Sequence, residues 1–336
     1  MRKSWMYLAV CCIMLCCLTM AAAEDALQTD GDTGHPIFTY RYADAAEAAG
    51  LLLSNRDYYE GLTQNDLNYR MQHLNATLGE LEAYIPEQML EFTDEEKRYI
   101  NAVMADIEAI CAERGYALPV TDGIVLVKTT MREECNVSAY THGTQIYLGQ
   151  RILPDMAGIE AEKDRNFREI MAHELFHCLT RNHPVFRAKL YEILGFTVAE
   201  EEYEFDPGIR ERIISNPDVE HHNAFAAFEI HGEMRNCVVI FTTSEPFRQP
   251  GDSFVRSMET GLVPTDDLSV MYTLDDAANF WQVFGRNTDY VVDPEETMAD
   301  NFSYVIIYGT EGREYPTPEI IQSIDAMLRE APWKNP

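Results

Sequence analysis

Positive charge is scarce in this chain: 336 residues carry 26 Lys and Arg against 56 Asp and Glu, a formal net charge of −30 at pH 7. So large a negative excess argues against nucleic-acid partners and anionic membrane surfaces, because each phosphate contact would form in a repulsive field. Cysteine is sparse too, 8 in all, and no two of them stand in a C-x-x-C pair, which argues against a cysteine-built zinc site. No internal repeat and no low-complexity tract interrupts the chain away from its ends. What is present suits a folded core: 46% hydrophobic and 11% aromatic residues, in a length that allows one large domain or two of average size.

The one long apolar run is N-terminal. Arg2 and Lys3 precede an apolar stretch from Trp5 to Met20, and Ala21, Ala22 and Ala23 follow it ahead of Glu24. That order of positive, apolar and small residues is a secretory signal with its cut after Ala23, so residues 1–23 are assigned to export. The stretch is shorter than the roughly 20 apolar residues of a membrane span. The mature chain is therefore expected to be secreted or periplasmic and free of the membrane, an uncleaved anchor being the alternative. Cleavage leaves Cys111, Cys135, Cys178 and Cys237, enough for two disulfides in an oxidising compartment, in any of three pairings. The signal takes two basic residues and no acidic one, so the acidity belongs to the exported protein.

From Glu24 to Pro36 the chain is rich in Asp, Gly and Thr and reads as a lead-in. Residues 24–118 form a mostly helical region, in which Thr93-Asp94-Glu95-Glu96 is a capping box before Tyr99, Ile100, Val103, Met104, Ile107 and Ile110 on one helix face. Gly115 and Pro119 end that helix. In residues 119–336, Ile124 to Val127 and Gln145 to Leu148 read as two strands of one sheet, and Cys237 to Thr242 as another strand. Helices are expected at Asp164 to Arg181, after Pro184, at Glu295 to Ile307, and at Pro318 to Leu328 with Thr317 as its cap. The expected class is α+β.

Chemistry is concentrated at His173-Glu174-Leu175-Phe176-His177. Positions i and i+4 of a helix lie one above the other, so both imidazoles project from one face at a spacing that suits two ligands of one metal ion. Glu174 is angled toward the remaining coordination space, where it can take a proton from water and act as general base. Leu175, Phe176 and Leu179 are left to bury the opposite side. Two His leave zinc one protein ligand short of a catalytic set.

Two candidates can complete it. His183 follows His177 by six residues, the spacing of the metzincin pattern H-E-x-x-H-x-x-G-x-x-H, and Ser269-Val270-Met271-Tyr272 resembles the Met-turn of that family. Thr180, however, stands where that pattern has Gly, and a β-branched residue is poorly suited to the turn. The other candidate is Asp293-Pro294-Glu295-Glu296-Thr297-Met298-Ala299-Asp300, where Asp293 can cap, Pro294 fits a first turn, and Glu296 and Asp300 share one helix face. This pairing of H-E-x-x-H with a downstream Glu-x-x-x-Asp helix resembles the gluzincin branch of the zincin zinc metallopeptidases. The resemblance covers roughly residues 124–307. It implies a zincin-like catalytic domain, with a small twisted sheet packed on the motif helix and a mostly helical part after it. It also implies Zn2+ held by His173, His177 and Glu296, Glu174 as general base, Asp300 as hydrogen-bond partner of His173, and a peptide or protein substrate. Glu295 is the alternative ligand within the same helix. The long interval between His177 and Glu296 is expected to hold an insertion. The aminopeptidase G-x-M-E-N motif has no match, since Met258-Glu259 lacks its flanking residues.

Tyr290 and His222 are candidate donors to a developing oxyanion, and His142 is read as a turn residue. Gln145 to Leu148 is the expected substrate-lining strand. Asn75, Asn136 and Asn301 begin glycosylation sequons, the last inside the proposed site helix. Besides a secreted zinc metallopeptidase, two other classes fit the sequence: a zinc amidase acting on non-protein amides such as those of cell walls, and a non-catalytic binding protein on the same scaffold.

Overall fold

The computed structural model describes residues 36–153 and 161–334, so the expected export signal lies outside the described residues. Two sheets organise the chain. The first contains β1 (Phe38–Tyr42), β2 (Met89–Leu90), β3 (Thr121–Thr129), β4 (Ala139–His142) and β5 (Gln145–Gly149), in the order β1-β3-β5-β4 with β2 paired to β3. β3 runs parallel to β1 and β5, and β4 folds back antiparallel to β5 as the sheet edge. The continuous apolar run of β3 follows from burial on both faces. Ile124 and Leu126 face one core, while Val125 and Val127 face another.

Five helices precede or flank this sheet: α1 (Ala45–Leu53), α2 (Arg56–Gly61), α3 (Gln64–Met71), α4 (Leu78–Tyr84) and α5 (Asp94–Arg114). Ala48 and Leu52 of α1, Tyr59 of α2 and Leu81 of α4 join Val125 and Val127. α5 covers the opposite face with Ile100, Val103, Met104, Ile107 and Cys111. Its start is the capping box of Thr93 with Glu96, and its stop is Gly115 at φ 69°, a conformation that glycine adopts without penalty. On the same side lies α6 (Ala161–Asn182), burying Phe167, Met171, Leu175, Phe176 and Leu179. The helices before residue 118 and the strands after it thus share their cores, within a unit that begins at Ile37.

After α7 (Pro184–Ile193) comes a second sheet. It comprises β6 (Thr197–Val198), β7 (Ala224–Ile230), β8 (Glu233–Thr243), β9 (Met258–Pro264) and β10 (Tyr272–Thr273), with the short α8 (Pro207–Arg210) between β6 and β7. The order is β10-β9-β8-β7-β6, every pair antiparallel. β7 alternates, with Ala224, Ala226, Phe228 and Ile230 buried, as expected for a sheet with one face on the core. His231 and Gly232, both at positive φ, make the tight turn into β8. Three helices complete the described chain: α9 (Phe280–Phe284), α10 (Pro294–Tyr308) and α11 (Pro318–Glu330). α10 is buried along most of its length, including both Glu295 and Glu296 in its first turn.

The α+β class holds. Three details depart from the sequence reading. Phe38–Tyr42 is a strand paired with β3, in a stretch that had suggested only lead-in and helix. The interval between α6 and α10 carries a whole antiparallel sheet, of which only the β8 segment was expected. Thr317 does not cap α11 with its side chain; its hydroxyl instead accepts a hydrogen bond from the Arg286 N–H at 2.9 Å. Cys111, Cys135, Cys178 and Cys237, enough for two disulfides, are free thiols, three buried within the main core and Cys135 against a separate cluster around Tyr69 and Phe241.

Candidate metal centre

The site lies where α6 packs against α10. Phe176 of α6 and Phe302 of α10 meet with ring centroids 5.3 Å apart, and both are fully buried. That contact fixes the rotation of the two helices, so that His173 and His177 on one face Glu296 and Asp300 on the other. Nε2 of His173 lies 3.0 Å from Glu296 Oε2, and Nε2 of His177 lies 3.8 Å from the same oxygen. A ligand atom from each of His173, His177 and Glu296 falls within 4.8 Å of the others. The remaining nitrogen of each imidazole is held by its own carboxylate. Nδ1 of His173 meets Asp300 at 2.9 Å, and Nδ1 of His177 meets Glu295 at 3.0 Å. Such pairing orients a ligand ring and raises its basicity.

These carboxylates are themselves anchored. Asp300 accepts from the Thr288 hydroxyl at 2.5 Å. Glu295 accepts from Thr180 Oγ1 and Tyr191 OH, each at 2.5 Å. Burial pushes the Glu295 carboxyl upward, but the hydrogen bond from His177 and the charge of Arg187 outweigh it and hold the group below its ordinary range. Glu296 behaves alike: burial opposes ionisation, and His173 and His177 prevail. Burial alone would lower the His173 pKa, yet its bonds to Asp300 and Glu296 carry it well above the usual value.

Glu174 is buried beside the cluster, with Oε2 accepting from Thr141 Oγ1 at 2.6 Å. Burial raises its pKa against the opposing charges of His173 and His177. Two further residues enter from the segment after α8, and sequence reasoning had not named either. Asn216 donates from Nδ2 to Glu296 Oε1, the oxygen not directed at His173. Asp218 places Oδ1 4.0 Å from His177 Nε2 and, with Glu174 and His177, forms a second set of potential ligand atoms within 4.8 Å of one another. Burial first, then the charges of Glu174 and Glu296, push its carboxyl well above the ordinary range. Asp218 Oδ1 also accepts from the Thr141 N–H of β4 at 2.6 Å.

The residues fit a metal ion. His177 is fully buried and its Nε2 has no hydrogen-bond partner. An orphaned buried nitrogen is costly, and a cation bound there would satisfy it. Two imidazole nitrogens and one carboxylate are the protein donor set that catalytic zinc sites complete with an exchangeable fourth ligand.

Other expected candidates lie elsewhere. His183 sits at the junction of α6 and α7, its Nε2 3.0 Å from the Val120 carbonyl, and Met271 packs with the cluster of Phe205, Val238 and Val263. His222 lies against the Phe205 ring, and burial lowers its pKa to about 4. His142 ends β4 among Tyr58, Tyr140 and Tyr147, on the side away from the motif. Tyr290 does belong to the neighbourhood: burial and then the charges of Glu296, Asp218, Asp300 and Glu174 push its phenol far above the ordinary range. Asn301 is fully buried, its amide bonded to Thr297 O and Asn287. β5, expected to line the cleft, is paired on both sides, and the edge strand beside it is β4.

Comparison of the chain with protein-family models, with curated proteins and with solved structures gives no match.

Proposed function

We propose that the chain is an exported zinc-dependent hydrolase of the gluzincin type that cleaves peptide bonds. The observation that carries this reading is the convergence of His173, His177 and Glu296, each imidazole backed at Nδ1 by its own carboxylate, around the orphaned Nε2 of His177. A zinc ion held there would lower the pKa of water and polarise an amide carbonyl. Glu174, adjacent to the first His and oriented by Thr141, is the residue that would hold the proton of an attacking water and pass it to the leaving amine. Tyr290, whose phenol feels the charges of Glu296, Asp218, Asp300 and Glu174, is the candidate hydrogen-bond donor to the carbonyl oxygen as negative charge develops. Asn216 and Asp300 hold Glu296 and His173 in register.

A second reading, hydrolysis of short or non-protein amides, is favoured by the state of β4. The edge-facing groups of Thr141 are both taken, its N–H by Asp218 and its carbonyl by Arg181 Nη1 at 2.9 Å, and the Gly143 N–H is taken by Glu220 at 3.0 Å. An extended polypeptide cannot add to that edge as a strand while these bonds stand.

Cleavage of a mixed peptide library and a panel of cell-wall amides by the zinc-loaded exported protein tests both readings. Wild type should cleave and Glu174→Gln should not; equal turnover by the two would refute the assigned base, and cleavage confined to the amide panel would select the second reading.

A further inference from the structure

Asn216 and Asp218 reach the metal centre from a segment that belongs to no helix or strand, and what holds that segment is found far away in the chain. Ser215, the residue before Asn216, has every polar atom bound by the N-terminal helices. Its N–H and hydroxyl donate to Asp66 Oδ1 and Oδ2, each at 2.9 Å. Its carbonyl accepts from Arg70 Nη2 at 2.9 Å and lies 3.2 Å from Tyr58 OH. Arg70 and Asp66 are one turn apart on α3, and Glu134 completes the cluster at 2.6 Å from Arg70 Nη2. The side chains of Arg70, Asp66 and Glu134 are exposed by only 3%, 0% and 5%.

Burying three charges is expensive, and apolar residues of similar volume often serve stability as well or better. What an ion cluster supplies that apolar packing cannot is direction. The planar guanidinium fixes the angles of its donors, and here one arm is shared between Glu134, Tyr58 and Ser215 while the other points at Asp66. Downstream, Arg181 at the end of α6 donates to the Pro217 carbonyl at 2.7 Å. Asn216 is therefore clamped on both sides, and its side chain spans from the Asp218 N–H at 3.1 Å to Glu296.

We infer that the buried Asp66–Arg70–Glu134 cluster, with Tyr58, is a positioning device for the metal centre: it sets Ser215, and through it places the Asn216 amide on Glu296. This rests on the metal-binding reading above and gives the N-terminal helices a role in the site. Arg70 and Tyr58 are positioning residues, since neither touches His173, His177 or Glu296.

The test uses the full exported chain with Tyr58→Phe and Arg70→Lys, each made alone and together with Asn216→Ala. Zinc affinity is read by competition with a chromogenic chelator, and the stability of the chelated protein by thermal unfolding. Loss of a group that orients a metal ligand weakens binding by about 10- to 100-fold. Arg70→Lys should weaken zinc binding about 10-fold and Tyr58→Phe roughly 3-fold, and neither should weaken it further once Asn216 is Ala. Should Arg70→Lys fail to fold, the near-isosteric Tyr58→Phe decides. Folded variants that bind zinc as wild type does, or that lose affinity equally in both backgrounds, overturn the inference and leave the metal site standing. A wild-type chain with no zinc affinity overturns instead the reading on which the inference rests.

Discussion

Glu295 offers a sharp test of how the two carboxylates in the first turn of α10 divide their work. It is 5% exposed and accepts from His177 Nδ1, Thr180 and Tyr191, with Arg187 Nε at 3.9 Å. Glu295→Gln keeps one carbonyl oxygen for His177 and Thr180 and turns an amide toward Tyr191, whose hydroxyl can rotate to accept. What disappears is the charge. A hydrogen bond to an ionised group contributes about 1.5–3 kcal/mol and a neutral one about 0.5–1.5, so the difference is about 1–1.5 kcal/mol, or roughly 10-fold in zinc affinity. Glu295→Ala strands two buried donors, His177 Nδ1 and the Tyr191 hydroxyl, while Thr180 Oγ1 still reaches the His177 carbonyl; at about 1–3 kcal/mol each, its chelated form should lose at least about 2 kcal/mol of stability as well. Chelator competition at pH 7 reads the first effect, and urea unfolding of the chelated protein reads the second. Unchanged affinity in Glu295→Gln would refute the orienting role. A loss beyond roughly 1,000-fold, far outside the range for an orienting partner, would make Glu295 a ligand itself.

Other outcomes follow from the same geometry. Phe176→Ala removes the ring that locks α6 onto Phe302 and should destabilise the chelated protein by about 3–5 kcal/mol in urea, while a loss below 1 kcal/mol would mean that the two helices are held by something else. Burial raises the Glu133 carboxyl, 1% exposed, from 4.5 to about 7. Between those values the folded chain binds the proton that the unfolded chain has released, so stability falls as pH rises through this window, by about 3 kcal/mol in total. Glu133→Gln should remove that slope from urea midpoints measured between pH 4.5 and 7, and an unchanged slope would assign it to another group. Zinc at about 1,000 times its Kd should stabilise the fold by roughly 4 kcal/mol, seen as a rise in Tm that EDTA reverses; no rise would contradict a folded-state site.

How much of the site could be read in the sequence depended on how local each signal was. His173 and His177 were legible because a single helical period aligns them, and Glu296 and Asp300 because Asp293 and Pro294 announce the start of their helix. Which of the adjacent Glu295 and Glu296 meets which imidazole was open, since it depends on a rotation of α10 set by Phe302, Thr180 and Tyr191. Asn216 and Asp218 carried no signal: they lie in a stretch without periodicity, and their placement comes from Ser215 bonding to residues about 150 positions earlier. The same distance effect hid β1, whose partner β3 lies beyond five helices, and most of the second sheet, whose short strands β6 and β10 are defined by pairing and carry little pattern of their own.

The central claim is that His173, His177 and Glu296 hold one metal ion. The most direct measurement is a zinc-edge anomalous difference map from crystals of the protein grown with one equivalent of zinc. A single peak is expected at about 2.0–2.2 Å from His173 Nε2, His177 Nε2 and a Glu296 oxygen. A peak at His183, a peak that omits Glu296, or no ordered zinc between α6 and α10 would contradict it.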